Sequence, residues 1–272
     1  MPTLNEKYDA LLDALRERGS LAVAFSAGVD SAFLLAAALQ ALGDNVLALT
    51  AVTAALPERE LREAESLCRS LGARRALVPV DALAVPAFRD NAPDRCYHCK
   101  KHIFTALLDA AAAQGFPVLA EGSNLDDDSD YRPGSRAIRE LGVLSPLREA
   151  GLAKAEIRAL SARLGLPTAQ KPSFACLASR VPYGEAITAE KLRRIDDAEQ
   201  ALLDLGFTQL RVRSHGELAR IEVPEADLPR LFALRAQISE ALAALGFAYV
   251  TMDLKGFRSG SMNETLSPAA TE

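Results

Sequence analysis

Short apolar runs alternate with longer helical patterns through the first two thirds of the chain. Leu21–Phe25 (LAVAF), Asn45–Ala51 (NVLALTA), Arg75–Val80 and Pro117–Glu121 (PVLAE) have the length and composition of buried strands. Asp30–Gly43, Pro57–Gly72 and Cys99–Gln114 have helical length between them, and the second carries the usual N-terminal proline and C-terminal glycine. Strands alternating with such helices predict βαβ units and a mainly parallel sheet, whose ligands sit at the carboxyl ends of the strands. A helix is expected over Lys154–Gly165, then a proline-bounded loop over Gln170–Tyr183. Beyond it the pattern changes. A helix over Ala189–Leu205, strands over Thr208–Ser214 and Leu218–Val223, a helix over Glu225–Leu245 and a strand over Phe247–Leu254 give an α-β-β-α-β order. The expectation is an α/β domain over 1–182 and a smaller α+β domain over 183–272, with the last residues (LSPAATE) frayed.

The turn between the first strand and helix reads Ser26-Ala27-Gly28-Val29-Asp30-Ser31. Small and hydroxyl residues there aim backbone N–H groups and the positive end of the helix dipole at one point, which suits a phosphate. The lysine-bearing GxxxxGK[ST] loop is absent. The SxGxDS pattern instead resembles the PP-loop of ATP pyrophosphatases, which cleave ATP between its α and β phosphates. A serine-capped helix after a buried strand is the plainer alternative. Position 27 is alanine where the commoner form has glycine, a cost of about 1 kcal/mol or more if the backbone there needs φ > 0.

Composition narrows the class of protein. The chain has 272 residues, 49% hydrophobic and 25% charged, as expected of a globular protein with one or two domains. A net charge of −5, from 31 basic and 36 acidic residues, gives no overall attraction to nucleic acid. No apolar stretch has bilayer-spanning length, and the N-terminal twenty residues lack a signal-peptide core. With four cysteines in such a chain, reduced thiols and a cytoplasmic location are expected.

Cys68, between leucines on a helix, reads as a buried structural thiol. Cys96 and Cys99 form a C-x-x-C in a turn ahead of a helix. Zinc held with Cys176 and His98 or His102, a redox pair, an iron–sulfur cluster and a purely structural pair all fit that spacing. Arg211 and Arg213 alternate on one strand and so share a face. With Arg258 of the GFRSG loop they could grip a phosphate, or they could line a solvated basic edge strand. The acidic segment 121–136 follows a strand end, where a functional loop is favoured.

Several stretches together resemble one family. SAGVDS at 26–31, NLDDDSDYRPG at 124–134, PSFACLASRVPYG at 172–184, RVR at 211–213, ARIEVPEA at 219–226 and GFRSGSMNETL at 256–266 are similar to the LarE PP-loop sulfur transferases. The resemblance runs from about residue 5 to 266. It implies a parallel-sheet PP-loop ATP pyrophosphatase domain (adenine nucleotide α-hydrolase-like) with a smaller C-terminal α+β domain. It also implies conversion of the carboxylates of a pyridinium-3,5-biscarboxylic acid mononucleotide to thiocarboxylates, for the nickel-pincer nucleotide of lactate racemase. By resemblance, Ser26, Gly28, Asp30 and Ser31 cradle ATP with Mg²⁺, Gly122 lines the nucleotide site, and Cys176 bears the sulfur. Arg211, Arg213 and Arg258 hold the substrate phosphate, Glu199 offers polar or metal contacts, and the assembly is a homo-oligomer, commonly a hexamer. Members with a C-x-x-C hold a 4Fe-4S cluster on three cysteines, here Cys96, Cys99 and Cys176, whereas members with a lone cysteine give up its own sulfur. A PP-loop tRNA thiolase and a non-catalytic nucleotide or metal sensor are the alternatives.

Overall fold

A computed structural model describes residues 2–129, 133–172, 175–258 and 261–262. The chain forms two compact units, one of residues 1–82 and 96–174, the other of 83–95 and 175–272.

The first unit opens with α1 (Leu4–Arg16), started by a capping box in which Thr3 and Glu6 exchange hydrogen bonds. There follow β1 (Leu21–Ala24), α2 (Val29–Leu42), β2 (Val46–Val52), α3 (Glu58–Ser70) and β3 (Arg74–Pro79). Then come α4 (Arg95–Ala113), β4 (Leu119–Ala120), α5 (Pro133–Glu140) and α6 (Lys154–Arg163). The sheet order is β3-β2-β1-β4, and every pairing is parallel, with Leu21 opposite Val46 and Ala22 opposite Leu119. The predicted βαβ alternation is therefore observed. Helix α2 is buried on nearly all sides and correspondingly apolar, with Phe33, Leu34 and Leu35 fully enclosed. Burying each such side chain is worth roughly 2 kcal/mol, so α2 contributes substantially to this core. Ala22, Leu47 and Leu49 pack on Phe104 and Leu107 of α4 in a second cluster. Cys68 is buried in the α2 cluster, and burial pushes its thiol up to about 11. It is the structural thiol expected.

Two boundaries differ from the sequence reading. Helix α4 begins at Arg95, so the C-x-x-C lies within its first turn and not ahead of it. Asp94, of a type favoured at helix starts, directly precedes it. The acidic segment is also partly ordered, with a 3₁₀ turn over Leu125–Ser129 and helix α5, while residues 130–132 lie outside the described residues.

The second unit contains α7 (Ala189–Asp204), β5 (Arg211–His215), β6 (Leu218–Glu222), α8 (Arg235–Ala244) and β7 (Tyr249–Met252). Its sheet order is β5-β6-β7, the first pair antiparallel and the second parallel. The helix expected over Glu225–Leu245 is interrupted at Leu234, which leaves helical geometry (φ −89°, ψ 8°), so a short helix Leu228–Ala233 precedes α8. Asn91, fully buried, donates through its amide to the carbonyls of Val181, Pro182 and Glu185 and ties residues 83–95 into this unit. The predicted frayed tail, 266–272, lies outside the described residues. Among the described residues no helix is long and apolar enough to cross a membrane.

Candidate functional site

In the first unit a cavity of about 320 Å³ opens at the carboxyl ends of β1, β2 and β4. Ser26, Gly28, Asp30, Ser31 and Gly122 all line it. Gly28 is the N-cap of α2 and offers no side chain to the first amides of the helix, so the serine-capped alternative does not describe this turn. Ser31 Oγ instead accepts from the Ser26 amide at 3.3 Å, contacts Ser26 Oγ at 3.1 Å and donates to the Gly28 carbonyl at 3.2 Å. The hydroxyls brace the loop while the helix amides stay directed at the cavity. Ala27 has φ +57°, the left-handed conformation that alanine tolerates poorly. Gly122 is required by space: a Cβ there would lie 2.9 Å from the Ser31 amide nitrogen and 3.1 Å from Asp30.

Asp30 lines the cavity with its carboxylate already paired. Its carboxylate is held by Lys154 Nζ and by the Asn124 amide at 3.3 Å, so its charge is spent on fixing the loop. Lys171 braces the other side. Its ammonium donates to the Ala27 carbonyl at 3.1 Å, Glu60 at 2.7 Å and Glu63 at 2.6 Å. The cavity wall also carries the polar residues Lys100, Glu121, Ser123 and Asp127 and the apolar Leu56, Ala64, Ile103 and Phe104. Lys100, Lys154, Lys171, Glu60 and Asn124 were missed by the sequence reading. Asn124 lay inside the acidic segment, Lys171 inside the proline-bounded loop and Lys100 directly after Cys99.

In the second unit Cys176 is exposed and caps a short 3₁₀ turn, Leu177–Arg180. The turn hangs on Arg180, which is fully buried. Its Nη1 donates to the carbonyls of Ala175 (2.6 Å) and Cys176 (3.0 Å), while Nε and Nη2 engage Glu199 at 2.8 and 3.1 Å. Glu199, equally buried, also accepts from the Val212 amide at 3.2 Å. Arg180 escaped the sequence reading, although a lone charge in an apolar run is a recognisable signal of a buried ion pair.

Arg211 and Arg213 are 6% and 5% exposed, which removes the solvated-edge alternative. Arg213 donates to Glu222 (2.7 Å), Ser261 Oγ (3.0 Å) and the Ser179 carbonyl (2.9 Å), so it buttresses the Cys176 turn. Arg211 stacks over Phe257 at 5.1 Å, and Arg258 meets Asp253 at 3.3 Å. Burial alone would raise Asp253; the Lys255 amide with Arg258 and Arg220 overcomes it and holds the carboxyl below its ordinary range. Four arginines (211, 213, 220, 258) against Glu222 and Asp253 leave this corner cationic. Residues 259–260 and 263–266 of the terminal motif lie outside the described residues, as do 173–174 beside Cys176.

Cys96 and Cys99 occupy the first turn of α4 three residues apart, on one helix face, exposed and half-exposed respectively. They are the right kind of donor for zinc or iron. Among the described residues, however, no group of three or more His, Cys, Asp or Glu side chains is gathered to hold a metal.

No protein-family model matches the chain. It is 40% identical to the pyridinium-3,5-bisthiocarboxylic acid mononucleotide synthase of Lactiplantibacillus plantarum, over 99% of this chain and 98% of that one. It is also 40% identical to an uncharacterized protein of Synechocystis, over 97% of this chain and 99% of the relative. A tRNA-specific 2-thiouridylase, MnmA, of Streptomyces avermitilis is 30% identical over 55% of this chain and 50% of its own.

Proposed function

The chain belongs to the LarE family of PP-loop sulfur transferases, and on that premise we propose that it makes the thiocarboxylates of a pyridinium-3,5-biscarboxylic acid mononucleotide at the expense of ATP. The observation that carries the reading is the cavity at the β1–α2 turn, where uncapped helix amides and Gly122 leave room for a phosphate chain.

A carboxylate resists nucleophiles because its oxygen leaves poorly and its charge repels attack. Its oxygen attacks the α phosphorus of ATP, pyrophosphate departs, and an acyl-adenylate forms. The amides of α2 and the hydroxyls of Ser26 and Ser31 bind the phosphates, with Mg²⁺ compensating their charge. Asp30, neutralised by Lys154, holds the loop in shape. Sulfur at Cys176 then attacks the acyl carbon and displaces AMP. Arg211 and Arg258 orient the substrate through its phosphate, and Arg213 joins them if it exchanges its present partners. Glu199 serves this site through Arg180 and not as a metal ligand in this reading.

Two sulfur sources remain in the proposal. In the sacrificial route the Cβ–S bond of Cys176 breaks with loss of the α proton, leaving dehydroalanine. In the other, Cys96, Cys99 and Cys176 would hold a 4Fe-4S cluster, which would supply a transferable sulfide. Anaerobic reconstitution separates them: iron that depends on all three cysteines supports the cluster, and iron-free, active protein with Cys176 lighter by one H₂S supports sacrifice. A cytoplasmic setting keeps these thiols reduced, and a homo-oligomer, hexameric by resemblance, belongs to the same reading.

The decisive assay follows pyrophosphate with and without the pyridinium mononucleotide, with mass analysis of the product. Substrate-dependent pyrophosphate and a sulfur-for-oxygen mass change are expected; neither should appear if the chain is only a nucleotide sensor. A tRNA thiolase reading draws on about half the chain and on a protein of net charge −5, and a tRNA gel shift at physiological salt tests it.

A further inference from the structure

The sheet of the second unit has two unlike faces. Val212, Ala219 and Ile221 pack into the core, while Arg211 and Arg213 of β5 and Arg220 and Glu222 of β6 share the opposite face. Arg213 and Arg220 are cross-strand partners there. The ion pairs on this face differ in firmness. Arg213 meets Glu222 at 2.7 Å with both side chains almost fully buried, the length of a charge-assisted bond. Asp253, two residues beyond the β7 partner of Arg220, instead lies between two arginines that solvent reaches. One of its oxygens is 3.6 Å from Arg220 Nη1, the other 3.3 Å from Arg258 Nη1. The side chains of Arg220 and Arg258 are 30% and 29% exposed, and both contacts are longer than the ~2.7–2.9 Å of firm charge-assisted bonds. Arg220 is also anchored from below, since its Nη2 donates to Glu222 at 3.2 Å. Its Nη1 can therefore change partner without the guanidinium leaving its place.

We propose that Arg220 and Arg258 form a clamp for an anionic group of the pyridinium mononucleotide, and that Asp253 is its resident stand-in, a carboxylate that the substrate displaces. The inference rests on the reading of this chain as a pyridinium mononucleotide sulfur transferase, and it adds Arg220 to the residues that bind substrate. Arg213 is a strut by comparison. Its guanidinium holds the Ser179 carbonyl, Glu222 and Ser261, so taking up a ligand would break three bonds. Arg220 and Arg258 give up one loose contact each. The charge balance favours the exchange, because four arginines face two carboxylates and Asp253 neutralises only one charge. A stand-in carboxylate also discriminates: a neutral ligand cannot displace it, whereas a carboxylate or a phosphate can.

Calorimetric titrations of the full chain test the clamp, with uncleavable α,β-methylene ATP present throughout. The probes are pyridinium-3,5-biscarboxylic acid mononucleotide, its dephosphorylated nucleoside, and nicotinic acid mononucleotide, which has one carboxylate fewer. Arg220→Gln should bind the biscarboxylate mononucleotide about 10- to 100-fold more weakly than the unaltered protein, the usual loss for a hydrogen bond to a charged group. Arg220→Lys should recover part of that loss. The probe whose affinity Arg220→Gln leaves unchanged identifies the anion: the nucleoside if Arg220 meets the phosphate, nicotinic acid mononucleotide if it meets the second carboxylate. Weakening of all three assigns it to the carboxylate they share. Asp253→Asn carries the sharper expectation and remains decisive should Arg220→Gln not fold. Removing the stand-in should tighten the biscarboxylate mononucleotide about 3- to 10-fold while lowering the urea midpoint, whereas a merely structural pair would lose on both counts. Arg235→Gln removes an exposed arginine of α8 and should keep the original affinity. Unchanged affinity in Arg220→Gln, unchanged or weaker binding in Asp253→Asn, or an equal loss in Arg235→Gln overturns the proposal and leaves the sulfur transferase reading standing. Absence of any binding by the unaltered protein overturns both.

Discussion

Ala27 sits at φ +57° with its carbonyl accepting from Lys171, in a loop where the glycine-containing form is commoner. The left-handed conformation disfavours a Cβ by about 1–2 kcal/mol. Ala27→Gly relieves that strain but gives the unfolded chain more freedom, so the net gain should be about 0.5–1 kcal/mol in chemical denaturation. A loss of stability would show that the loop is not strained at this residue. Gly122 makes the opposite case. An added methyl meets the backbone at Ser31 at 2.9 Å, with no flexible side chain to yield. Gly122→Ala should cost about 1–3 kcal/mol from overpacking and weaken ATP binding at least tenfold in a titration. Alanine tolerated at both readouts would remove Gly122 from the site. The first effect was legible in the sequence, because the departure from glycine stood out at position 27. The second was not, because the approach of β4 to the α2 turn is a tertiary fact.

At the level of elements, the Cys176 turn is secured by a buried arginine and the α2 turn by a partly buried lysine, each donating to main-chain carbonyl oxygen. Arg180 holds Ala175 and Cys176, and Lys171 holds Ala27. Arg180→Met leaves Glu199 buried opposite an apolar side chain and should cost about 3–5 kcal/mol in denaturant unfolding. Adding Glu199→Leu should recover more than half of the stability without restoring sulfur transfer, since the carbonyls of the turn remain unheld. Recovery of full activity would mean that the turn needs no anchor. Periodicity revealed the strands and helices of both units because burial repeats along each element. It misplaced the start of α4 by four residues, where charged and aromatic residues (RCYH) hide the apolar rhythm. It could not reveal Lys171 or Glu60, whose meeting depends on segments 111 residues apart.

For the whole molecule, acidity should act in two windows. His215 lies among Arg213, Arg220, Glu185 and Glu222, and burial foremost, with Arg220 and Arg213, lowers it from its ordinary 6.5. The unfolded chain therefore takes up this proton before the folded one. Stability from this group is complete above 6.5 and declines as pH falls toward the lower folded value. Glu156, lowered by the Ala153 amide and Lys7, and Asp253 act further down, losing their contribution as pH falls below 4.5 and 3.8 respectively. Urea midpoints measured from pH 8 to 5 should drop through the first window, and His215→Gln should flatten that drop. An unchanged slope in the variant would place the upper window elsewhere.

The grip on Cys176 is through its carbonyl, while among the described residues its exposed thiol makes no hydrogen bond that holds the turn. If the sulfur is given away, nothing that shapes this corner of the protein goes with it. A depleted copy should melt like a fresh one and still engage the pyridinium nucleotide. Exhausted protein would then accumulate as a decoy, slowing later rounds by sequestering substrate, and progress curves should stall earlier when depleted protein is added back.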